Sequence, residues 1–428
     1  MMNPARRTLL QRAGILFLSF YLFLFMFPFP LDQIPLVSVV FDYYAQLQDF
    51  LTNWFGKSVL HLHNFHKTEN TGSGDTLFSY VTVFSQLTLA MAFTILVLLA
   101  DRKKHNYTRV YAHLITYARY YLGLFMLLYG SLKFADPGQF DTPGLFTLEK
   151  SFGNLSPAGL LWSFMGASKG FKVFSGLLEL SGGYLLLFRR TQIIGALLTA
   201  VIMLQVAVMN FCYDVSVKLF SFHLFLIAFI ILFPYLKRLL AFLLGLKHEP
   251  INYTPLEFDK KYKRILFYIT KAGILIYFSA GYLLGPPSLL DVPGQDKTQH
   301  WIAGVYKPTL VVLDKDTLVT TQKDPMWKKL MLEDGFAAIG TSMDSLKYFK
   351  SILHEKDQTI TFVSDKDSTE HYTLSYFLEK GKLTLTGNWK GKTLNAQFIR
   401  KTQKDYILLN RGFHLIEEYP FNDDFNHR

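Results

Sequence analysis

Seven long apolar runs occupy the first two thirds of the chain. Each is about as long as a bilayer is thick, since a helix rises ~1.5 Å per residue and the hydrocarbon core measures ~30 Å. A backbone in lipid must satisfy its own hydrogen bonds, so the runs are predicted to be transmembrane helices. The runs are Ala13–Leu31, Leu77–Ala100, Val110–Leu132, Gly170–Phe188, Thr191–Tyr213, Leu219–Leu236 and Ala272–Leu290.

From about Trp301 the pattern changes to short apolar stretches with interspersed charges and a period of two. This alternation is typical of half-exposed strands, and glycine turns between the stretches favour hairpins. The pattern predicts a small mostly-β domain, either a lipocalin-like barrel or a sandwich. The predicted strands are Thr309–Leu313, Thr359–Val363, Tyr372–Phe377, Lys382–Thr386, Thr393–Arg400, Tyr406–Asn410 and Phe413–Glu417, and a short helix is predicted over Pro325–Glu333.

The fold class is therefore a membrane protein: an all-α bundle of about seven transmembrane helices, followed by a small extracytoplasmic mostly-β domain. Lysine and arginine are more than twice as numerous in the gaps on one side of the membrane as in those on the other. The positive-inside rule then places the N-terminus in the cytoplasm. If the fourth run, which contains Glu179, does not cross, the C-terminal domain changes sides.

Four segments follow from these patterns. Residues 1–106 are predicted to hold two transmembrane helices and an extracytoplasmic interfacial loop, in which an amphipathic helix lies on the membrane surface. Residues 107–246 are predicted to form a four-helix transmembrane unit. Residues 247–292 add a cytoplasmic loop and the last transmembrane helix, and residues 293–428 form the extracytoplasmic β domain.

Composition supports a membrane protein. Half of the 428 residues are hydrophobic, including 40 phenylalanines and 24 tyrosines. The net charge of +11 lies largely in the loops assigned to the cytoplasm, which favours contact with anionic membrane lipids over nucleic-acid binding. Cys212 is the single cysteine, so an intrachain disulfide and a dithiol redox cycle are both excluded for this chain.

Glu179 is a carboxylate in the middle of an apolar run, where an unpaired charge costs several kcal/mol. It shares a helix face with Gly176 and Gly183, and small residues mark the face that packs against other helices. One interpretation is a carboxylate that carries a proton or contacts a substrate. The other is a structural ion pair with Arg119. Alternatively, the Arg119 side chain extends to the lipid headgroups. Lys133, at the end of the helix that carries Arg119, is predicted to anchor that helix at the membrane interface.

A second polar group is predicted where the sixth run begins. Asp214 and Lys218 are four residues apart and can pair on one helix face, and His223 lies one turn deeper. With Glu179 and Arg119 as a polar centre, these residues are predicted to line one outward-facing cavity that suits a quinone headgroup, a small anion or a proton relay. The alternative is helix-end capping plus one core histidine.

Metal and cofactor signals are weak. The candidates for a metal site are His61, His63 and His66. Neither a regular helix nor a regular strand turns all three side chains toward one point, as a metal ion requires. No metal is therefore predicted, and surface histidines are the commoner interpretation. The chain shows no phosphate-binding loop, dinucleotide fingerprint, CxxC motif or nucleophile elbow. No cofactor site is evident, and a quinone is the cofactor that the predicted cavity would accept.

Three short motifs stand out in residues 107–243: Arg119-Tyr-Tyr-Leu-Gly-Leu, Tyr129-Gly-Ser-Leu-Lys133, and Gly176-Leu-Leu-Glu179-Leu-Ser-Gly182-Gly183. By these motifs the segment resembles a DoxX-family membrane protein. The resemblance implies a four-helix unit in a bacterial cytoplasmic (inner) membrane and a redox link, since some family members are subunits of a thiosulfate:quinone oxidoreductase.

Five further strings are spread over the whole chain: Phe27-Pro-Phe-Pro30, Thr71-Gly-Ser-Gly-Asp75, Asn210-Phe-Cys-Tyr-Asp214-Val-Ser-Val-Lys218, Asn410-Arg-Gly-Phe-His414 and Glu418-Tyr-Pro-Phe-Asn422. By these strings the chain also resembles larger DoxX-like proteins of the Bacteroidota, which add helices at both ends and a C-terminal β domain and have no assigned activity.

The leading hypothesis is a DoxX-like inner-membrane protein that binds a quinone or small anion as a subunit of an envelope redox or stress system. If it is an enzyme, it is an oxidoreductase subunit and needs a redox partner protein, or acts as a homo-oligomer. The first alternative is a non-enzymatic platform that binds a lipid or partner protein through its β domain. The second alternative is a transporter, against which the lack of internal repeats counts weakly.

Overall fold

The protein is described here by a computed structural model. It describes residues 8–33, 38–68, 72–102, 105–135, 138–247, 260–284, 301–314, 316–317, 327–333, 335–342, 345–364 and 370–410. The chain divides into two compact units. The helical unit comprises Met1–Gln139 and Gly170–Ser288, and the barrel unit comprises Phe140–Lys169 and Leu289–Arg428.

Helices dominate the first 284 residues. Numbered in chain order, they are α1 Leu9–Met26, α2 Ser38–Trp54, α3 Leu77–Ala100, α4 Thr108–Leu132, α5 Leu145–Leu148, α6 Pro157–Ala167, α7 Lys169–Leu187, α8 Gln192–Cys212, α9 Lys218–Leu232, α10 Leu236–Leu243, α11 Lys261–Leu284 and, after the barrel, α12 Ile407–Asn410.

Within the described residues, four helical segments are long and apolar enough to cross a membrane. They are Leu9–Gln33, Leu77–Ala100, Gln192–Cys212 and Lys218–Leu243, and they coincide with the first, second, fifth and sixth apolar runs. The other three runs are helical as well, in α4, α7 and α11, but these helices carry more polar residues. The last residues of the seventh run, after residue 284, lie outside the described residues.

The glycines of α7 bring that helix against α4, backbone to backbone. A Cβ added to Gly183 would lie 2.8 Å from the carbonyl oxygen of Gly123. Seven residues away on each helix, a Cβ on Gly130 would lie 3.0 Å from the carbonyl oxygen of Gly176. The predicted small-residue face of α7 is thus confirmed as a helix-packing face, and Glu179 lies between its two glycine contacts.

The described residues of the barrel unit form nine antiparallel strands. They are β1 Gly304–Leu313, β2 Asp316–Thr317, β3 Lys329–Glu333, β4 Phe336–Ser342, β5 Ser345–His354, β6 Thr359–Ser364, β7 His371–Glu379, β8 Lys382–Trp389 and β9 Lys392–Arg400. Strands β3 to β9 follow one another as a meander from β1, and β9 pairs back with β1. Eight strands therefore close a barrel, with the two-residue β2 added beside β1, so the predicted β domain is a barrel and not a sandwich.

Two sequence predictions in this unit are wrong. The helix predicted over Pro325–Glu333 is wrong, because Lys329–Glu333 form β3. Leu330 and Leu332 point into the barrel, and Met331 between them is buried on the outer face. Burial on both faces removes the alternation by which a strand is usually predicted. Tyr406–Asn410 is no strand: a 3₁₀ turn at Gln403–Asp405 precedes α12 there, and Asp405 accepts a hydrogen bond from the backbone N–H of Thr402. The predicted strand Phe413–Glu417 lies outside the described residues.

Aromatic side chains fill the barrel. Trp389, Phe362 and Phe398 are almost completely buried, and Trp327 packs edge-on against Trp389 with ring centroids 4.9 Å apart. The indole N–H groups of both tryptophans are buried without a hydrogen-bond partner. Because buried polar groups are nearly always paired, these two donors mark the barrel interior as an unusual core.

Residues 140–169 form part of the barrel unit and cover the outer face of β1, β3 and β4. Leu145 and Phe146 of α5 pack against a buried cluster that includes Val305 and Met331. Beside this cluster, Glu149 is buried and accepts hydrogen bonds from Lys401 at 2.6 Å and from Tyr406, and it forms an ion pair with Lys329. The segment between α4 and α7 is therefore anchored to the barrel by apolar contact and by charge.

Candidate functional site

One of the two most deeply buried ion pairs of the described residues joins Lys133 and Glu179, and the other joins Arg12 and Asp101. The Lys133 ammonium lies 2.6 Å from a Glu179 carboxylate oxygen, and the two side chains are 4% and 7% exposed. Gln139 accepts a further hydrogen bond from the same ammonium at 2.9 Å. The glycine contact between α4 and α7 brings the two helices close enough for this pair, which neutralises both charges. Buried charges are tolerated when paired in this way.

Arg119 does not take part in this pair. Its guanidinium donates to the side-chain oxygen of Gln192, and its Nε has no hydrogen-bond acceptor although the residue is 4% exposed. Arg119 and Lys133 are 14 positions apart on α4, which is about 21 Å along the helix axis. The single polar centre predicted for Arg119 and Glu179 is thus wrong, because Glu179 pairs with Lys133 and Arg119 lies about four helical turns from Lys133 along α4. The interfacial role predicted for Lys133 is wrong as well, since Lys133 is buried.

His223 lies in α9 and is buried beside α1. Its Nδ1 is 2.6 Å from the carbonyl oxygen of Leu219, and its Nε2 shares a short hydrogen bond with the hydroxyl of Tyr21. A carbonyl oxygen can only accept, so Nδ1 carries a proton, and Nε2 of the neutral ring accepts from the tyrosine hydroxyl. The histidine is therefore held in one tautomer with a hydroxyl group as its neighbour.

An aromatic row connects His223 with the ion pair. Phe25 stacks on His223 with ring centroids 4.2 Å apart and an angle of 13° between the planes. Phe25 contacts Tyr121, and along α4 the rings of Tyr121, Phe125 and Tyr129 follow one another at every fourth residue. Lys133 comes four residues later, and its ammonium is 3.4 Å from the carbonyl oxygen of Tyr129.

Part of this row is accessible. Phe25, Phe125 and Tyr129 are half-buried, and Phe220 of α9 contacts all three rings. Exposed aromatic faces flanked by a few fixed polar groups are typical of sites for flat, largely apolar ligands. We define the aromatic row as Phe25, Tyr121, Phe125, Tyr129 and Phe220; it runs where α1, α4 and α9 meet.

The predicted pair of Asp214 and Lys218 is present, with 2.7 Å between its charged atoms. Asp214 is largely exposed, however, and the buried carboxylate at this position is Asp75. Asp75 accepts from the backbone N–H groups of Lys218 and Leu219 at 2.8 and 3.0 Å, and so caps the N-terminus of α9. The arrangement favours the helix-capping interpretation of this polar group and does not join it to Glu179.

The sequence patterns did not indicate Tyr21, Asp75 and Lys133 as the partners of His223, Lys218 and Glu179. Each lies far along the chain from its partner: 202 residues separate Tyr21 from His223, and 143 separate Asp75 from Lys218. The four-residue spacing of aromatic side chains on α4 was the one local signal that pointed to the row.

His61, His63 and His66 are exposed around the buried Phe65. Nδ1 of His66 lies 2.8 Å from the carbonyl oxygen of Asn64. Among the described residues, no three His, Cys, Asp or Glu side chains come together as a metal-ligand set.

The barrel unit has an open cleft between the turn that joins β5 to β6 and the C-terminal part of β7. Trp301 and Phe377 are half-exposed at this cleft, and the Trp301 indole lies 3.3 Å from a carboxylate oxygen of Glu355. The cleft is lined by Trp301, Glu355, Gln358, Tyr376, Phe377 and Leu378.

Comparison with known proteins places little constraint on this site. No family model and no solved structure matches the chain. A stretch of 93 residues is 28% identical to the uncharacterized protein YwoB of Bacillus subtilis (strain 168). The match covers 22% of this chain and 58% of YwoB, so the chain spans less than two thirds of that relative.

Proposed function

We propose that this chain is a multi-pass inner-membrane protein of the DoxX-like class, with seven transmembrane helices and a binding site for a quinone headgroup. Four helices are long and apolar enough to cross. The three others carry more polar residues, and the burial of Glu179 against Lys133 removes the main objection to a crossing by α7. A paired carboxylate on a glycine-rich packing face suits a helix inside a bundle.

The anchoring of residues 140–169 on the barrel supports the proposed topology. This segment joins α4 to α7, and Glu149 within it contacts Lys329 and Lys401 of the barrel unit. The two must therefore lie on the same side of the membrane, which requires an even number of crossings between them. Crossings by α7, α8, α9 and α11 fulfil that condition, and a cytoplasmic N-terminus then puts the barrel outside the cytoplasm.

The aromatic row carries the functional proposal. It begins at the His223–Tyr21 hydrogen bond and leads to Lys133 and Glu179. A quinone headgroup is a flat ring with two carbonyl acceptors, so it can stack between the aromatic side chains and accept from the tyrosine hydroxyl or the lysine ammonium. Reduction of a quinone also consumes two protons, which a histidine and a carboxylate are able to relay. Because the sequence carries no cofactor motif, the electrons would come from a partner protein.

The test is to purify the protein in mild detergent and to identify co-purifying small molecules by mass spectrometry. We expect a quinone in the wild type and its loss in His223→Phe and Tyr21→Phe, which remove the hydrogen bond but keep a ring. Tyr43→Phe is the matched control, since Tyr43 is exposed on α2. A folded wild type that neither retains nor binds added quinone contradicts the proposal.

A second candidate function follows from the barrel cleft. Trp301 and Phe377 are 48% and 58% exposed there, and aromatic residues are enriched in surfaces that bind partners. In this alternative the barrel binds a lipid or a protein, and the helices anchor it. The test is to transfer the barrel to an unrelated membrane anchor in cells that lack the native protein. If this fusion replaces the native protein completely, the result favours a binding platform and contradicts the quinone site.

A further inference from the structure

Three cationic side chains lie near one another where the middle of α4 meets the C-terminal end of α7. Arg119 belongs to α4, Arg189 follows α7, and Lys271 belongs to α11. The ring of Tyr120 lies close to two of them: its centroid is 5.3 Å from the Arg119 guanidinium carbon and 6.0 Å from the Lys271 ammonium. Arg189 comes two residues after Leu187, whose carbonyl oxygen accepts a hydrogen bond from Lys271, and its charge acts on both other cations. We name Arg119, Arg189 and Lys271 the basic cluster.

Within the described residues, the neighbours that hydrogen-bond Arg119 and Lys271 are neutral groups, which leave these two charges without a counter-ion. Arg119 donates one hydrogen bond to Gln192, whose amide donates in turn to the hydroxyl of Tyr235 at 3.2 Å. Lys271 donates to the carbonyl oxygen of Leu187 at 2.7 Å. Among the described residues, neither Arg119 nor Lys271 has a carboxylate partner, and the buried Nε of Arg119 has no acceptor at all.

This arrangement is costly without a counter-ion. A buried cation that is not matched by an anion costs several kcal/mol, and like charges nearby add to the cost. A carbonyl or amide oxygen compensates only in part. An anion with several acceptor oxygens would satisfy the free Nε–H of Arg119 and lie between the cations. The planar fork of arginine is well suited to the oxygens of a phosphate group.

We propose that the basic cluster is a binding site for a phosphate group, supplied either by the headgroup of an anionic phospholipid or by free inorganic phosphate. Its ligands are the guanidinium of Arg119, with its open Nε–H, and the charges of Lys271 and Arg189. The site is separate from the proposed quinone site and does not depend on it. In the proposed topology it lies at the cytoplasmic leaflet, where basic pockets between helices bind phospholipid headgroups.

The experiment compares two phosphate sources on the full-length protein. Native mass spectrometry of the detergent-purified wild type detects retained phosphatidylglycerol or cardiolipin. Delipidated protein is then titrated with inorganic phosphate, and separately with short-chain phosphatidylglycerol. We expect a retained or saturably bound phosphate compound, with binding weakened at least tenfold in Arg119→Gln and in Lys271→Gln. Retention of lipid identifies a headgroup site, and binding of inorganic phosphate alone identifies a free-phosphate site.

The matched control is Lys237→Gln, which removes one positive charge from an exposed position on α10. It should bind like the wild type, whereas a purely non-specific charge effect would weaken all three variants equally. If Arg119→Gln does not fold, Lys271→Gln at the half-buried end of the cluster still tests the site. Absence of saturable binding to the wild type, or equal binding by the cluster variants and the control, would overturn the proposal.

Discussion

The ammonium of Lys133 lies 2.6 Å from the carboxylate of Glu179, and neither side chain has more than a small contact with solvent. The pair links the end of α4 to the middle of α7, beside the close glycine contacts between these two helices. Removal of one partner leaves a buried charge, and this typically costs 3–5 kcal/mol. We therefore expect Lys133→Met and Glu179→Leu to lower the unfolding temperature strongly.

The double variant Lys133→Met/Glu179→Leu should recover much of that loss, because apolar residues in place of both charges leave no unpaired ion. Thermal unfolding in detergent, followed by circular dichroism, measures the two single variants and the double variant. Losses that simply add would show that the two residues do not interact.

Gly183 tests the contact between α4 and α7. A Cβ there would lie 2.8 Å from the carbonyl oxygen of Gly123, so Gly183→Ala should force the helices apart and destabilise the protein by about 1–3 kcal/mol. Gly170→Ala is the control on the same helix, because a Cβ there meets nothing within 4 Å. Unfolding midpoints should fall for the first variant only. Equal effects of the two would count against backbone contact at Gly183.

Asp75 should matter more than Asp214 for the start of α9. Asp75 accepts from two backbone N–H groups, and loss of an N-cap costs about 1–2 kcal/mol. Asp214 is 80% exposed in its pair with Lys218, and exposed pairs contribute little. We expect Asp75→Ala to lower the unfolding temperature clearly and Asp214→Ala to leave it nearly unchanged. The reverse order would assign the cap to Asp214.

The Glu149 contacts predict a pH dependence in the barrel unit. Burial raises the pKa of the Glu149 carboxyl, but hydrogen bonds from Lys329, Lys401 and Tyr406 outweigh burial and hold the pKa below its usual value. A lowered pKa in the folded state means that the carboxylate stabilises fully above the ordinary glutamate pKa, about 4.3. This contribution is lost as the pH falls through the lowered value in the folded protein.

Glu149→Gln should therefore be less stable than the wild type at pH 7, and the difference should shrink below pH 4. Unfolding curves of both proteins across that range measure it. Asp49→Asn is the control, because the pair of Asp49 with Lys67 is exposed and should contribute less than about 1 kcal/mol. A difference between Glu149→Gln and the wild type that stays constant with pH would contradict the ion-pair role.

Cysteine labelling tests the topology. In a Cys212→Ser background, single cysteines at Phe152 and Ser375 should react with an impermeant reagent from the same side of the membrane. Phe152 is exposed between α5 and α6, and Ser375 is exposed on β7. A cysteine at the exposed Arg190, between α7 and α8, should react only from the opposite side. Labelling of all three from one side would show that α7 does not cross.

Local patterns in the sequence predicted much of the fold. Apolar runs predicted the helices, because an amphipathic or wholly apolar helix is encoded within about 20 consecutive residues. Period-two segments predicted β6 to β9 for the same reason. The patterns did not predict β3 to β5. In β3 and β4 both faces are buried: Ala337 belongs to the core inside the barrel, whereas Met331 and Ala338 belong to a second cluster on its outer face. The alternation of apolar and polar residues is therefore lost in these strands.

The sequence by itself determined the helical and β parts of the chain, the small-residue face around Glu179, and the pairing of Asp214 with Lys218. Only the tertiary structure decided that Glu179 pairs with Lys133, 46 residues away, and that β9 closes onto β1. It also separated Arg119 from Glu179 and, within the residues that the structure describes, left Arg119 without a carboxylate partner. The physical reason is that periodicity fixes which side chains share a face of one element, whereas the partner of that face depends on packing between elements distant in the chain.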